Sequence, residues 1–283
     1  MKNVIPYQDD TFTFYKDVIS RKNNTQSDPK FKEKVNDFNP NIKKLFLVYN
    51  TKFDSNILGD LTAFGYLRIK KKRLLKLYSF KAKIFQELKV KLTTRKGNIQ
   101  DAICQNCTLS EVNSFDHVVP KDEFPEFVVN PKNLFPSCTN CNSRKGTTWR
   151  ENGKSVFLNL YTDVLPNKQY LFVDIQIENS ELNLSYSLFN VNDEIDSELF
   201  NLIKTHYDKL GLCQRFKENS DVIVAELENE INKYKNQLPL DSIVETIQEE
   251  CREEKNLLGF NYWKSILKLS LIHNDGYMSR FYT

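Results

Sequence analysis

Residues 104–146 read CQNCTLSEVNSFDHVVPKDEFPEFVVNPKNLFPSCTNCNSRKG, and this stretch decides both the fold and the chemistry to expect. Cys104 and Cys107 form one Cys-x-x-Cys pair and Cys138 and Cys141 a second, with thirty residues (108–137) between them. Each pair can close into a tight knuckle that offers two sulfurs to one ion. A four-sulfur site has no open coordination position, so the expected zinc is structural. It would staple a segment too short and too polar to hold itself together. Four unrelated cysteines, or disulfides, are the competing reading, which the equal spacing of the two pairs argues against. Asp116, His117 and Asn133 lie between the pairs, and Asn142 follows the last cysteine. Those residue types suit a second, hard metal beside a general base.

The local pattern sorts the stretch into elements. In SFDHVVP, Phe115, His117 and Val119 alternate with Asp116 and Val118, which predicts a short strand ended by Pro120. KDEFPEFVVNPKN, with Pro125 and Pro131, reads as a loop, and LFP as a second strand. A helix is expected over SCTNCNSRKG, with Ser137 or Thr139 as its N-cap. Strand, loop, strand and helix make a ββα unit, whose helix would bring Asn142 across to Asp116. Phe115, Phe124, Phe127 and Phe135 read as core packing for this small module.

Outward from it, the chain of 283 residues is 40% hydrophobic, enough for a real core. Mean hydropathy is −0.53, and no apolar run approaches the roughly 18–20 residues of a membrane-spanning helix. The N-terminus lacks the basic-then-apolar layout of a signal peptide, so a cytoplasmic location is expected, with cysteines mostly reduced. Cys213 and Cys251 then read as ordinary thiols, and His206 and His273 as structural histidines. Net charge is only +3, but residues 68–96 are strongly basic with Glu87 as their one acid, whereas residues 218–254 lean acidic. A basic segment ahead of a candidate phosphodiester-cutting site suits nucleic-acid contact; a solvated helix face is the plainer alternative.

The expected organisation is α+β. Residues 1–96 read as mainly helical, with a loop over 21–30, a helix start at Asp60 or Thr62, and Leu74, Leu77, Tyr78, Ile84, Phe85 and Leu88 facing a core. The module occupies 97–150, after a break at Gly97-Asn98. Residues 151–195 hold two or three strands from VFLNLYTD, QYLFVDIQIE and ELNLSYSLFN, with a turn at Asn179-Ser180. Residues 196–283 are helical again, with Pro239 separating two helices and Leu240-Asp241-Ser242 offering an N-cap.

CQNC, DHVVP, NL at Asn133-Leu134 and CNSRK together resemble the HNH endonuclease motif of the ββα-metal nucleases. The segment also resembles a bacterial subset found in phage-defence loci, including nuclease subunits of Septu-type systems. The resemblance is confined to this segment and implies a zinc-stapled HNH core between helical flanks, with a short β-hairpin after it. By that resemblance His117 is the general base, and Asp116 and the Asn142 side-chain oxygen bind one Mg²⁺ or Mn²⁺. Asn142 stands where many relatives have histidine, an accepted substitution that favours hard ions. Asn133 would pin the loop and orient the His117 ring by a hydrogen bond. Lys145 would either hold the phosphate or pack against the loop. Arg144 and Arg150 would either touch phosphate or lie on a solvated face.

The implied activity is metal-dependent hydrolysis of nucleic acid, DNA in the first instance, with RNA left open. Its products would carry 5′-phosphate and 3′-hydroxyl ends. The alternative is a zinc-stapled nucleic-acid or partner-binding module without catalysis. The large helical flanks could dock an ATPase or sensor partner protein, or simply enclose the substrate. One ββα site nicks one strand, so a double-strand cut would need a homo-oligomer or two binding events.

Overall fold

The computed structural model describes residues 1–95, 97–179 and 181–281. Contacts divide it into two compact units. One holds residues 3–106 and 110–164; the other holds 1–2, 107–109 and the chain from 165 onward.

In the first unit, Asp10 starts α1 (Thr11–Ser20) by accepting the Thr13 amide at 2.6 Å, one of the donors that the first helical turn leaves without a carbonyl. α2 (Phe31–Asn36) and α3 (Asn39–Asp54) follow. α3 buries Ile42, Phe46, Tyr49 and Phe53, a stripe at steps of four, three and four residues. The expected helix start at Asp60 or Thr62 gives way to a single 3-10 turn at Leu58–Asp60 and an irregular stretch. Gly65 has φ +89°, which no right-handed helix accommodates. α4 (Arg68–Leu75) therefore begins later, and α5 (Lys83–Thr93) is separate from it. Leu74, Leu77, Ile84, Phe85 and Leu88 are buried as expected, while Tyr78, in the connection, is half-buried.

β1 (Thr94–Arg95) and β2 (Ile99–Gln100) pair around the Gly97-Asn98 break; Lys96, the last residue of the basic segment, lies outside the described residues. β3 (Ser114–His117) pairs antiparallel with β4 (Leu134–Ser137), so that Asp116 faces Phe135 and His117 faces Leu134 in register. α6 (Thr139–Lys145) follows directly, completing the ββα unit. All residues of β3 and β4 are buried, so the alternation in SFDHVVP does not mark a solvent face. Aromatic rings close over both strands: Phe80 on Phe115 at 5.6 Å, Tyr161 on Phe135 at 5.0 Å and Tyr49 on Phe127 of the intervening loop at 4.8 Å. A short hairpin, β5 (Arg150–Glu151) with β6 (Lys154–Ser155), comes next. VFLNLYTD is not a strand, because the Asn159 carbonyl accepts the amides of Thr162 and Asp163 at 2.8 Å and turns the chain.

The second unit pairs β7 (Leu171–Glu178) with β8 (Glu181–Leu188) from Leu171↔Leu188 to Glu178↔Glu181. Asn179 of the expected turn has φ +50°; Ser180 lies outside the described residues. Six helices follow: α7 (Ser197–Leu210), α8 (Leu212–Glu218), α9 (Ser220–Tyr234), α10 (Leu240–Leu258), α11 (Trp263–Ile272) and α12 (Asp275–Met278). Trp263 stacks on Phe216 at 5.3 Å and 5°. α10 starts at Leu240, directly after Pro239, without a side-chain cap, so Asp241 and Ser242 lie inside the helix rather than ahead of it. Burial pushes the Cys213 and Cys251 thiols up to about 11, as suits packed rather than reactive sulfurs. The architecture is α+β, a ββα module among helices with a β-hairpin after it. No helix among the described residues is long and apolar enough to cross a membrane.

Candidate active site

The Cys104, Cys107, Cys138 and Cys141 sulfurs are buried and lie within 4.8 Å of one another. Four sulfurs at about 2.3 Å from one zinc would stand roughly 3.8 Å apart in a tetrahedron, so the cluster has the size and donor set of a structural zinc site. The Cys138 sulfur accepts the Cys141 amide at 3.4 Å, and Ser137 Oγ lies 3.7 Å from the Cys104 sulfur. Cys138, not Ser137 or Thr139, is thus the N-cap of α6, and the same sulfur both starts the helix and belongs to the metal cluster.

Between β3 and β4 the loop is tied by Asn133, which is fully buried. Its Oδ1 accepts the Val119 amide at 2.8 Å and the Tyr49 hydroxyl at 3.1 Å. Its Nδ2 donates to the carbonyls of Val119 at 3.2 Å and Phe127 at 3.1 Å. Both lone pairs and both protons are in use, so no capacity remains for the expected bond to the His117 ring.

That bond comes from the backbone. His117 Nε2 lies 3.0 Å from the carbonyl of Val128, one residue beyond the carbonyl that Asn133 holds. A carbonyl only accepts, so Nε2 carries the proton and Nδ1 keeps its lone pair. Burial pushes the His117 pKa down to about 3, helped by the charges of Lys121 and Lys145 and opposed by the Val128 bond. The ring is therefore neutral at physiological pH. Tyr78 meets it edge-on at 4.9 Å and 77°. The Lys121 ammonium sits 5.4 Å from the Tyr78 ring centre.

Lys145 resolves differently from the phosphate reading. Its buried ammonium donates to Asp116 Oδ1 at 2.9 Å, to the His117 carbonyl at 2.5 Å and to the Val118 carbonyl at 3.3 Å. Three protons meet three oxygens of β3 and its extension, so Lys145 clasps α6 to that strand. Burial raises the Asp116 carboxyl, and the charge and hydrogen bond of Lys145 oppose the rise. Asn142, one turn earlier on α6, donates its Nδ2 to the Phe115 carbonyl at 3.2 Å and to Ser114 Oγ at 3.4 Å. Its amide is thereby held against the residue preceding Asp116. Arg150 donates to the carbonyls of Gly59 and Leu61 and pairs with Glu123, while Arg144 bonds to Asn140 on its own helix.

Sequence reading missed Tyr78, Lys121, the Val128 carbonyl and Tyr49. Lys121 stood in plain view after Pro120, but nothing local distinguishes it from other lysines. Tyr78 and Tyr49 reach the site from distant helical segments and carry no motif.

Residues 104–148 match the HNH endonuclease family model. This chain thus carries an HNH module, and the wider segment resembles the Septu protein PtuB of Bacillus thuringiensis. Identity is 33% over 86 residues, covering 29% of this chain and 33% of that protein. The chain therefore spans about a third of the length of the curated relative it matches. No solved structure matches it.

Two predictions follow from this geometry. Elemental analysis of purified protein should find about one zinc per chain, and Cys104→Ser or Cys138→Ser should give unfolded or insoluble protein. Zinc that leaves under chelation with no change in thermal unfolding would contradict the structural assignment. The second concerns acid. The folded His117 pKa of about 3 lies below its ordinary value of 6.5, so the unfolded chain binds the proton first. Its contribution is complete above pH 6.5 and is lost as pH falls toward 3. Chemical denaturation of His117→Gln between pH 6.5 and 4.5 should show a slope shallower than wild type by roughly 1 kcal/mol per pH unit. Parallel slopes would mean that His117 is not buried neutral.

Proposed function

We propose that this chain is a metal-dependent HNH endonuclease that hydrolyses nucleic-acid phosphodiester bonds, DNA in the first instance, in cytoplasmic bacterial phage defence. The observation that carries this reading is the His117 ring: buried, neutral and fixed by Val128 in the tautomer whose Nδ1 can accept a proton, inside a segment that matches the HNH endonucleases. His117 takes a proton from water as the water oxygen forms its bond to phosphorus. The P–O3′ bond breaks and the leaving oxygen takes a proton from solvent, giving a 5′-phosphate and a 3′-hydroxyl.

Asp116 and Asn142 supply hard oxygen donors, a carboxylate and an amide, that fit Mg²⁺ or Mn²⁺. Lys145 bonds to Oδ1 of Asp116, and a carboxylate has lone pairs enough to serve an ammonium and a metal together. The ion would supply positive charge to the scissile phosphate and the leaving oxygen. With one carboxylate, itself paired to Lys145, affinity for the ion alone is weak, and cleavage should need divalent cation of about millimolar order. Asn133 positions His117 through the loop, and Lys145 positions Asp116 through α6.

The Lys145–Asp116 pair also favours a second reading, since it satisfies the carboxylate within the protein: a zinc-stapled binding module without catalysis. The helical regions outside the module give area for an ATPase or sensor subunit, or for a second copy of the chain that would cut the opposite strand.

Plasmid and single-strand cleavage with Mg²⁺ or Mn²⁺, with and without a partner protein, separates the readings. His117→Ala should lose at least about 100-fold in rate while keeping zinc content and thermal unfolding. Asn142→Asp should lower the divalent concentration needed for half-maximal rate. Equal rates in wild type and His117→Ala would place the cutting elsewhere, and no cleavage by either would favour the binding module.

A further inference from the structure

Among the described residues, Lys121 is a cation beside His117 that no carboxylate engages. The neighbouring cations are engaged: Lys145 by three oxygens, Arg150 by Glu123 and two carbonyls, Lys132 by Asp54. Among the described residues no carboxylate pairs with Lys121, whose described contact is the Tyr78 ring face at 5.4 Å. A cation over an aromatic face at a partly exposed site gains less than a charge-assisted bond to an anion gives. The ammonium is thus placed but not satisfied.

Its placement is specific. Pro120 lies three residues beyond His117, the last residue of β3, and Lys121 follows at once. The Tyr78 ring contacts both: it meets the His117 ring edge-on at 4.9 Å, and its centre lies 5.4 Å from the Lys121 ammonium. The next residue, Asp122, gives its carbonyl to Lys71 of α4 at 2.5 Å. That bond brings α4, with the exposed cations Arg68, Lys70 and Lys72, alongside the Lys121 position. Positive charge therefore continues from the rim of the histidine site onto a basic helix, a layout that fits a polyanion lying along it.

We propose that Lys121, held over Tyr78, is the residue that grips the substrate's phosphodiester backbone next to His117, with the exposed cations of α4 taking phosphates further along the strand. This rests on the nuclease reading for the nature of the substrate. Tyr78 is a positioning residue for both His117 and Lys121.

The test measures binding apart from cutting. Fluorescence anisotropy of labelled single-stranded and duplex DNA is followed across a salt series with the full chain carrying His117→Ala, so that substrate persists. Adding Lys121→Gln should weaken binding about tenfold and reduce the slope of log K against log salt by about 1. Lys121→Arg, which keeps the charge, should restore both, and thermal unfolding should be unchanged in each. In the wild-type background Lys121→Gln should lower the cleavage rate at subsaturating DNA at least tenfold. Unchanged affinity and salt slope in Lys121→Gln would overturn the proposal even if His117 proves catalytic. A charge-dependent loss of binding in a protein that never cleaves would sustain the phosphate contact and remove only the nuclease reading.

Discussion

A side-chain amide can make four hydrogen bonds, and the buried amide of Asn133 makes all four. Each is worth about 1 kcal/mol net, but a buried partner left unpaired would cost about 1–3 kcal/mol, so the set behaves as a unit. Two of the four go to carbonyls on opposite limbs of the loop, at Val119 and Phe127. The loop's path then delivers the Val128 carbonyl to His117, which sets the ring's tautomer. The tautomer of the histidine thus depends on an asparagine whose four bonds all go elsewhere.

Two further constraints hold the other side of the ββα unit. The sulfur cluster fixes the start of α6 through Cys138, and Lys145 fixes its last turn to β3. A helix of barely two turns is thereby pinned at both ends. Asn142 lies between the pins, and its amide against Phe115 follows from them. The electrostatic character is set by the same contacts. The buried Asp116 carboxylate is matched by the buried Lys145 ammonium, and the neutral imidazole adds no charge of its own.

The parts legible in the sequence were those whose signal is local. Equal Cys-x-x-Cys spacing announced the cluster, the runs SFDH and LFP announced the two strands, and Asp116-His117 marked the candidate chemical centre. What escaped depends on groups that meet only in the folded chain. Lys145 could be placed one turn from Asn142, but that its ammonium finds two successive carbonyls of the opposing strand requires the helix's docking angle. Tyr78 was placed on a helix facing the core; the chain breaks between Leu75 and Lys83 instead, and the break turns its ring to the histidine. The alternation in β3 gave a strand even though both of its faces are covered, whereas the apolar run at 156–163 misled because Asn159 turns it by hydrogen bonding rather than by composition.

The fourth bond of Asn133 bears on modularity. It comes from Tyr49 on α3, far outside residues 104–148 that define the family resemblance. Tyr49 also packs on Phe127, and Tyr161 covers Phe135 from the other end of the sequence. The recognisable motif is therefore not a physically separable part. Excised at its sequence borders, it would leave an amide oxygen short of a donor and two phenyl rings facing water. In this chain the smallest autonomous ββα fold is set by where the aromatic cover ends, not by where the cysteines and the Asp116-His117 pair end.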